Sequence, residues 1–559
     1  MSKAILVCFR NRAMPDLSHF SKLASARLGP EHLTVNPALM FQGDGLFTCI
    51  YHPTPVAKVR GNSLSLGLVE DWKEEVLKPG AARPRGTYAI FRTSDTEIEI
   101  LSDYVASRTV WYYRDHELFV ASTSQRLVVA FLGTFEANQP AIRWMLSTGT
   151  LGPCSWDRRL RSVPQNSVLR LCRSTWELSL AKKPLEFTPA NVGEAELKAN
   201  LYSAIEQAIS GLDLQPNRWT LALSGGMDSR AVLYHVKRLE GLNTVTWGLQ
   251  KALGQRRSDA TIARHLATEC RLPHSYVALD PEYQGFETVL RRFVTAGEGR
   301  IDHISGYMDG LELWRELSSA GHAVLRGYDA LGRKPPVVNE HQARRASGLA
   351  LTADYRKSLI PEELQLGEDD IPDYLHRAEG EPLHDWRDRL WLQFRTPYMT
   401  AALDEIKVAY VELANPLLSE TVVRSIQMLP HELRTNKALF KKIVAVMFPG
   451  VPFARREVTQ PVESIVSRGD VADVLRKDLL LAQGKGVLPD EFLRTLADSL
   501  SKNETGVLLE RRMMDMCKAY MPLPLENILR TRMRRKGESC GRLALRASII
   551  LRVHELLCS

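Results

Sequence analysis

LALSGGMDSRAV, residues 221–232, is the stretch whose reading decides the fold. An apolar run leads into Ser-Gly-Gly-Met-Asp-Ser, and a helical pattern follows. The two glycines let backbone N–H groups approach an anion closely, and a helix opening there adds its partial positive charge. The hydroxyls of Ser224 and Ser229 can donate to phosphate oxygens. Asp228 repels phosphate unless a cation lies between them, so it implies Mg²⁺. The expected phosphate-binding residues are therefore Leu223, Ser224, Gly225, Gly226, Met227, Asp228 and Ser229. A Walker loop is excluded, because GxxxxGK[ST] occurs nowhere in the chain.

Around this loop, WTLALS (219–224) reads as a buried strand and 228–242 as a helix ending at a glycine. TVTWGL (244–249) reads as a second strand and ATIARHLATEC (260–270) as a second helix. Such alternation predicts a parallel α/β sheet, with the loop at the carboxyl end of a strand, where open sheets bind ligands. The first ~185 residues differ: AILVCF, GTYAIFRT, EIEILSD, TVWYYRD, ELFVAST and VLRLC are short β-branched and aromatic runs between polar turns. They predict an antiparallel-sheet domain. Composition shifts between residues 182 and 200, and beyond about residue 380 the pattern is nearly all helical. The expected division is 1–185 and 190–559.

The bulk numbers fit this division. A chain of 559 residues is too long for one ordinary core. Hydrophobic residues make up 44% and charged residues 25%, as in soluble globular proteins. The apolar stretch near the start is too short for a signal peptide or a membrane span, and no later segment reaches the length of a span. A cytoplasmic protein without membrane contact is expected. The 8 cysteines show no CxxC spacing and read as reduced thiols. Net charge is +8, from 73 basic and 65 acidic residues, with a local excess between Arg530 and Arg552. That run reads as a solvated helix face, with Leu543, Leu545, Ile549, Ile550 and Leu556 turned inward.

The 221–232 loop resembles the pyrophosphate-binding loop (PP-loop) of the ATP pyrophosphatases, which split ATP between its α and β phosphates and adenylate a substrate oxygen. Other segments are similar to asparagine synthetases. In SDATIARHLATECRLPHSYVALD (258–280), Asp259, Ala263, Arg264 and His274 match. His274 by itself reads as a polar residue at a strand edge. HAVLRGYDALGR (322–333) stands where the family has Ser-Gly-Glu-Gly-x-Asp-Glu. Gly327 and Gly332 fit, Arg326 replaces the serine, and Asp329 is the carboxylate that remains. In VELANPLLSETVVRSIQMLPHELRTNKALFKKIV (411–444), Glu412 precedes Pro416 by four residues and Lys437 follows Leu429-Pro430. Upstream, residues 86–128 resemble the family's glutaminase-like domain at Gly86, Asp103, Arg108, Tyr112, Tyr113, Ala121 and Ser122. The resemblance runs from about residue 80 to 450.

The resemblance implies an α/β protein: an N-terminal nucleophile (Ntn)-type glutaminase-like α+β sandwich, then a PP-loop parallel-sheet α/β synthetase domain with a mostly helical C-terminal part. The first domain is degenerate. Ser2 stands where the family has its nucleophilic cysteine, and no Asn-Gly-Glu glutamine-binding segment is found. The resemblance further implies ATP and Mg²⁺, with adenine near Trp247, Arg326 and Gly327 beside the phosphates, and Asp228 and Asp329 on the metal. It implies that Lys437 stabilises the transition state and the released pyrophosphate. Glu412 would assist the base step, with Tyr398 as a partner.

A synthetase architecture without glutaminase chemistry is similar to β-lactam synthetases and lasso-peptide cyclases. There an amine already on the substrate attacks the acyl-adenylate, and ring closure uses proximity. The expectation is an AMP- and pyrophosphate-forming amide ligase of lasso-macrocyclase type. Its substrate would be a peptide or small molecule bearing a carboxylate and an amine, with a leader peptidase or leader-binding protein as partner. Two alternatives stay open: an asparagine synthetase using ammonia, and a PP-loop RNA-modifying or nucleic-acid-binding protein, suggested by the basic tail. The domain ahead of the loop counts against nucleic acid as a partner.

Overall fold

The computed structural model describes residues 2–10, 14–34, 36–43, 45–280, 285–328, 335–355, 358–455, 458–501 and 538–558. Two antiparallel sheets form the first part. One runs, edge to edge, β10 (Arg161–Ser162), β8 (Trp111–Arg114), β9 (Leu118–Ser122), β1 (Lys3–Phe9), β3 (Leu46–Tyr51) and β2 (Leu39–Gly43). The other runs β12 (Leu178–Lys182), β11 (Ser167–Cys172), β7 (Glu97–Ser102), β6 (Gly86–Thr93), β5 (Ser63–Val69) and β4 (Lys58–Arg60).

KAILVCF is almost continuously apolar because β1 is buried on both faces. Ala4, Leu6 and Cys8 share a core with Leu66, Phe91, Ile100 and Leu169 of the second sheet. Ile5 and Val7 pack instead with residues of the helices Gln125–Leu132 and Gln139–Thr148. Alternate side chains of a strand point to opposite faces, so one strand serves both layers. The six expected strands of this part are present as β1, β6, β7, β8, β9 and β11.

The third sheet is parallel, in the order β15 (His274–Ala278), β14 (Asn243–Gly248), β13 (Trp219–Ala222), β16 (Ala323–Arg326) and β17 (Leu413–Ala414). The chain starts at the central β13, winds outward through β14 and β15, then returns to the other side for β16 and β17. Strand order thus reverses at β13, the switch point where open α/β sheets leave a crevice. The helix after β13 is Met227–Val236, shorter than the sequence pattern suggests. Beyond it the chain turns, with Leu239 N–H bonded to the Val236 carbonyl and Gly241 at φ 66°.

From Leu383 onward helices dominate, among them Gly469–Leu481, Asp490–Ser501 and Cys540–Cys558. Leu543, Leu545, Ile549 and Ile550 are buried, as their spacing predicts, while Leu556 is only half-buried. The basic residues among them are not a solvated face, and here the sequence reading is corrected. Arg542 and Arg546 turn inward onto Asp302, which is 0% exposed, with Nε–Oδ2 distances of 3.0 and 2.7 Å. These guanidiniums hold the Asp302 carboxyl well below the usual range, against its burial. Arg552 pairs with Asp478 and Glu287. Arg530, Arg532, Arg534, Arg535, Lys536 and Cys517 lie outside the described residues. The described cysteines are unbridged, and no helix among the described residues is long and apolar enough to cross a membrane.

Breaking a buried ion pair from one side leaves uncompensated charge and costs about 3–5 kcal/mol. Asp302→Ala is expected to lower the unfolding midpoint in urea and to strip hydrogen-exchange protection from 540–558 first. An unchanged midpoint would show that the two arginines find other partners.

Candidate functional site

The loop after β13 is braced from within. Leu223 keeps the sheet ladder through its N–H to the Val245 carbonyl (2.9 Å), and its own carbonyl accepts the Thr246 hydroxyl (2.5 Å). The chain then leaves the sheet. Ser229 Oγ accepts the Ser224 N–H at 3.0 Å and lies 3.0 Å from Ser224 Oγ, which in turn accepts the Gly226 N–H at 3.2 Å. The two hydroxyls therefore hold the turn together, a role the sequence reading did not give them. Asp259 Oδ1 accepts the Gly225 N–H at 2.9 Å. No side chain caps the helix Met227–Val236 at Gly226, so no side chain of the N-cap competes with an anion for its first N–H groups.

Two glycines are required by space. A Cβ on Gly225 would lie 2.5 Å from the Ala454 Cβ. One on Gly327 would collide with the Asp228 carbonyl and reach within 2.6 Å of the Ser229 amide nitrogen. The end of β16 thus rests directly on the first turn of the helix. The segment 451–455 crosses the loop. Ala454 N–H bonds to the Gly225 carbonyl (3.1 Å), and the buried Arg230 donates to the Val451 and Pro452 carbonyls (2.7 and 2.8 Å) with its guanidinium 4.3 Å over Phe453. Burial brings the Arg230 pKa down to about 10. Sequence reasoning missed Arg230. Its only signal is an arginine at an otherwise apolar position of the helix.

Lys437 closes on the loop from the helical part. Its Nζ donates to both oxygens of Asp228, at 2.7 and 2.6 Å, and the residue is 7% exposed. The turn that delivers it holds Asn436 and Lys437 at φ 53° and 57°. Two successive non-glycine residues in the left-handed region are strained, and the surrounding packing must hold them there. Trp247, the penultimate residue of β14, is half-buried and edge-on to Trp314 with centroids 5.3 Å apart. Arg326 donates to Asp404 Oδ1 at 2.7 Å and lies 4.1 Å over the Tyr328 ring.

Behind Arg326 lies a group the sequence did not disclose. Lys407 is buried, donates to the Leu403 carbonyl (2.6 Å), and lies 3.4 Å from the same Asp404 oxygen. The Tyr307 and Trp314 rings are 5.5 and 5.9 Å away. Burial, and then the charge of Arg326, push the Lys407 pKa down to about 7, with Asp404 opposing them.

Glu412 is not brought to this loop. It immediately precedes β17, whose Leu413 pairs with Val324 early in β16. In a parallel sheet that is the amino edge, opposite the loop. There Glu412 is buried, in a close ion pair with Arg108 and accepting the Thr54 hydroxyl at 3.0 Å. It ties the sandwich to the parallel sheet, and the expected base role has no geometric support. Tyr398 does not meet Glu412 either. Its hydroxyl pairs with that of Tyr374 at 2.7 Å. His274 behaves as a strand-edge residue, 2.9 Å from the Thr244 hydroxyl, with burial lowering its pKa to about 4.

Asp329 lies outside the described residues. Among those described, no three His, Cys, Asp or Glu side chains converge as a metal site. Asp228 is the carboxylate on the loop, and its side chain is 20% exposed. Both its oxygens are held by Lys437, so a Mg²⁺ on this carboxylate would have to displace the ammonium.

No family model matches the chain, and no curated protein matches it. Solved structures with some likeness include a glutamine phosphoribosylpyrophosphate amidotransferase from B. subtilis complexed with ADP and GMP, at 9% identity over 60% of this chain and 82% of that one, TM-score 0.21. Another is described as the allosteric regulatory enzyme of purine biosynthesis, at 9% identity over 66% of this chain and 84% of that one, TM-score 0.22. Likeness at these scores carries no weight for the fold or the chemistry.

The depressed pKa of Lys407 has a consequence for stability. Unfolding takes up a proton between about pH 7 and 10, so this side chain costs most stability below pH 7 and progressively less toward pH 10. Lys407→Met is expected to raise Tm at pH 7, with the difference from wild type shrinking toward pH 10. A constant difference across that range would mean that Lys407 titrates like a solvated lysine.

Proposed function

We propose that this chain is an ATP-dependent amide ligase that adenylates a substrate carboxylate, releases pyrophosphate and passes the acyl group to an amine. One observation carries the reading. Asp228 and Lys437 meet on the uncapped first turn of a helix, at the switch point of a parallel sheet, without a Walker lysine. Phosphates on that turn would lie against backbone N–H groups, with the Lys437 ammonium alongside. Mg²⁺ on Asp228 would neutralise phosphoryl charge.

In the first step the carboxylate oxygen attacks the α-phosphorus and pyrophosphate leaves. In the second, the amine nitrogen attacks the acyl carbon, loses a proton and expels AMP. Lys437 would serve the first step electrostatically, its ammonium passing from the Asp228 oxygens it holds here to the leaving pyrophosphate. Trp247 offers an aromatic wall one strand from the loop, where adenine would lie. Arg326, held by Asp404, flanks the phosphates from β16. The acceptor amine belongs to the substrate itself in the lasso-macrocyclase form of this reading, with a leader peptidase or leader-binding protein as partner. The substrate is a peptide or small molecule that carries both groups.

The test is carboxylate-dependent exchange between ATP and labelled pyrophosphate. Asp228→Asn and Lys437→Met are each expected to lower the rate by about 10²-fold or more, the effect of removing one such electrostatic group. ADP and phosphate as products would overturn the reading. Exchange dependent on aspartate, with turnover on ammonium, would replace the macrocyclase form by an ammonia-using asparagine synthetase.

A further inference from the structure

A second cleft opens at the other edge of the parallel sheet, between the two parts of the chain. Its volume is about 290 Å³, and its lining includes Lys58, Gly67 and Trp72 from the sandwich and Asp213, Gln215 and Arg218 from the turn ahead of β13. Arg218 immediately precedes Trp219, so it stands at the amino edge, the length of a strand away from the phosphate loop.

The charges in this cleft are unbalanced. Arg218 is half-buried and has no side-chain hydrogen bond or ion pair among the described residues, and neither has Lys58. Burial makes the Arg218 charge harder to keep, while nearby Glu412 favours it. Glu412 is already engaged by Arg108, which lies just behind the wall, since a Cβ on Gly67 would come within 2.8 Å of Arg108 Nε. The lining holds one carboxylate, Asp213, which is exposed and takes the Gln215 amide at 2.5 Å. Two cations on one cleft, one of them partly desolvated and unpaired, are unfavourable until an anion joins them. Trp72 adds a half-buried indole, a flat surface suited to an apolar or aromatic body. The volume sits at the lower end for small-molecule sites. It admits a single ring with one anionic group, and a nucleoside triphosphate is too large.

We propose that this cleft binds a small organic oxyanion, a phosphate ester or carboxylate, with the anionic group on Arg218 and Lys58 and the body against Trp72. The inference does not depend on the ligase reading, because the site shares no residue with the loop. Occupancy would add a contact across the junction that Arg108 and Glu412 already close.

The full chain is titrated with phenyl phosphate and with benzoate, by calorimetry and by tryptophan fluorescence. Saturable one-to-one binding of either probe is expected, and which probe binds separates the two sources of the oxyanion. Arg218→Gln and Lys58→Gln should each weaken binding by about tenfold, the effect of one charge-assisted contact. Lys58→Gln changes a short edge strand and serves if the arginine variant fails to fold. Trp72→Phe should abolish the fluorescence change while the heat of binding remains. The proposal is overturned if neither probe saturates, if both charge substitutions leave affinity unchanged, or if Asp228→Asn abolishes binding. Inorganic phosphate binding as tightly as phenyl phosphate would overturn the role given to Trp72.

Discussion

Lys437 closes over both oxygens of Asp228, 209 residues earlier in the chain. Much of the architecture serves that contact. The lysine reaches the loop only because two residues in succession hold a left-handed backbone. The carboxylate is presented only because β16 rests against the same helical turn, which no side chain at position 327 would allow. An ammonium on a carboxylate in water is worth little. Here the lysine is nearly buried, so the pair is screened less, and losing either partner would leave a charge in a poor solvent. The contact joins the loop to the helical part and fixes where the crevice lies.

The opposite edge of the sheet is organised by charges as well, and they serve assembly. Glu412 takes Arg108 and Thr54 from the sandwich. Lys3 in β1 meets Glu298 at 2.8 Å and Glu405 at 2.9 Å, all three nearly buried. Burying ions is costly, and apolar replacements of equal volume are often as stable. Each of these pairs bridges the two parts of the chain. The edge strand β17 and the strand β1 are thereby set in fixed relation. The cleft with Arg218 and Lys58 lies along this same seam, where two surfaces with their own charge patterns meet.

The strands and helices were legible because their causes are local. KAILVCF and WTLA are short, apolar and bounded by turns, and a strand buried on both faces needs no more. SGGMDS was legible for the same reason, since a strand, two glycines and a helix start are neighbours in sequence. The partnerships were not. Arg542 and Arg546 look like a basic helix face until Asp302, some 240 residues away, is placed against them. Glu412 stands at the right spacing from Pro416, but spacing along a chain does not report which end of a strand a residue occupies. One residue before β17 is the amino edge, and the loop is at the other. Lys437 was legible only by its distance from Leu429-Pro430, and its backbone strain was not visible at all. Trp72 and Arg218 carried no sequence signal because each is ordinary alone.

Asp404 shows how one carboxylate organises the floor of the crevice. Arg326 holds Oδ1 at 2.7 Å, and Lys407 approaches the same oxygen at 3.4 Å. The shorter, charge-assisted contact dominates, because interaction energy falls with distance and guanidinium geometry matches a carboxylate. Burial first, and then the neighbouring Arg326 cation, push the Lys407 pKa down to about 7, and the shared Asp404 only partly offsets them. The cluster is therefore balanced near neutral pH between a charged and a neutral lysine. Arg326 is held at the end of β16 by that carboxylate and by the Tyr328 ring.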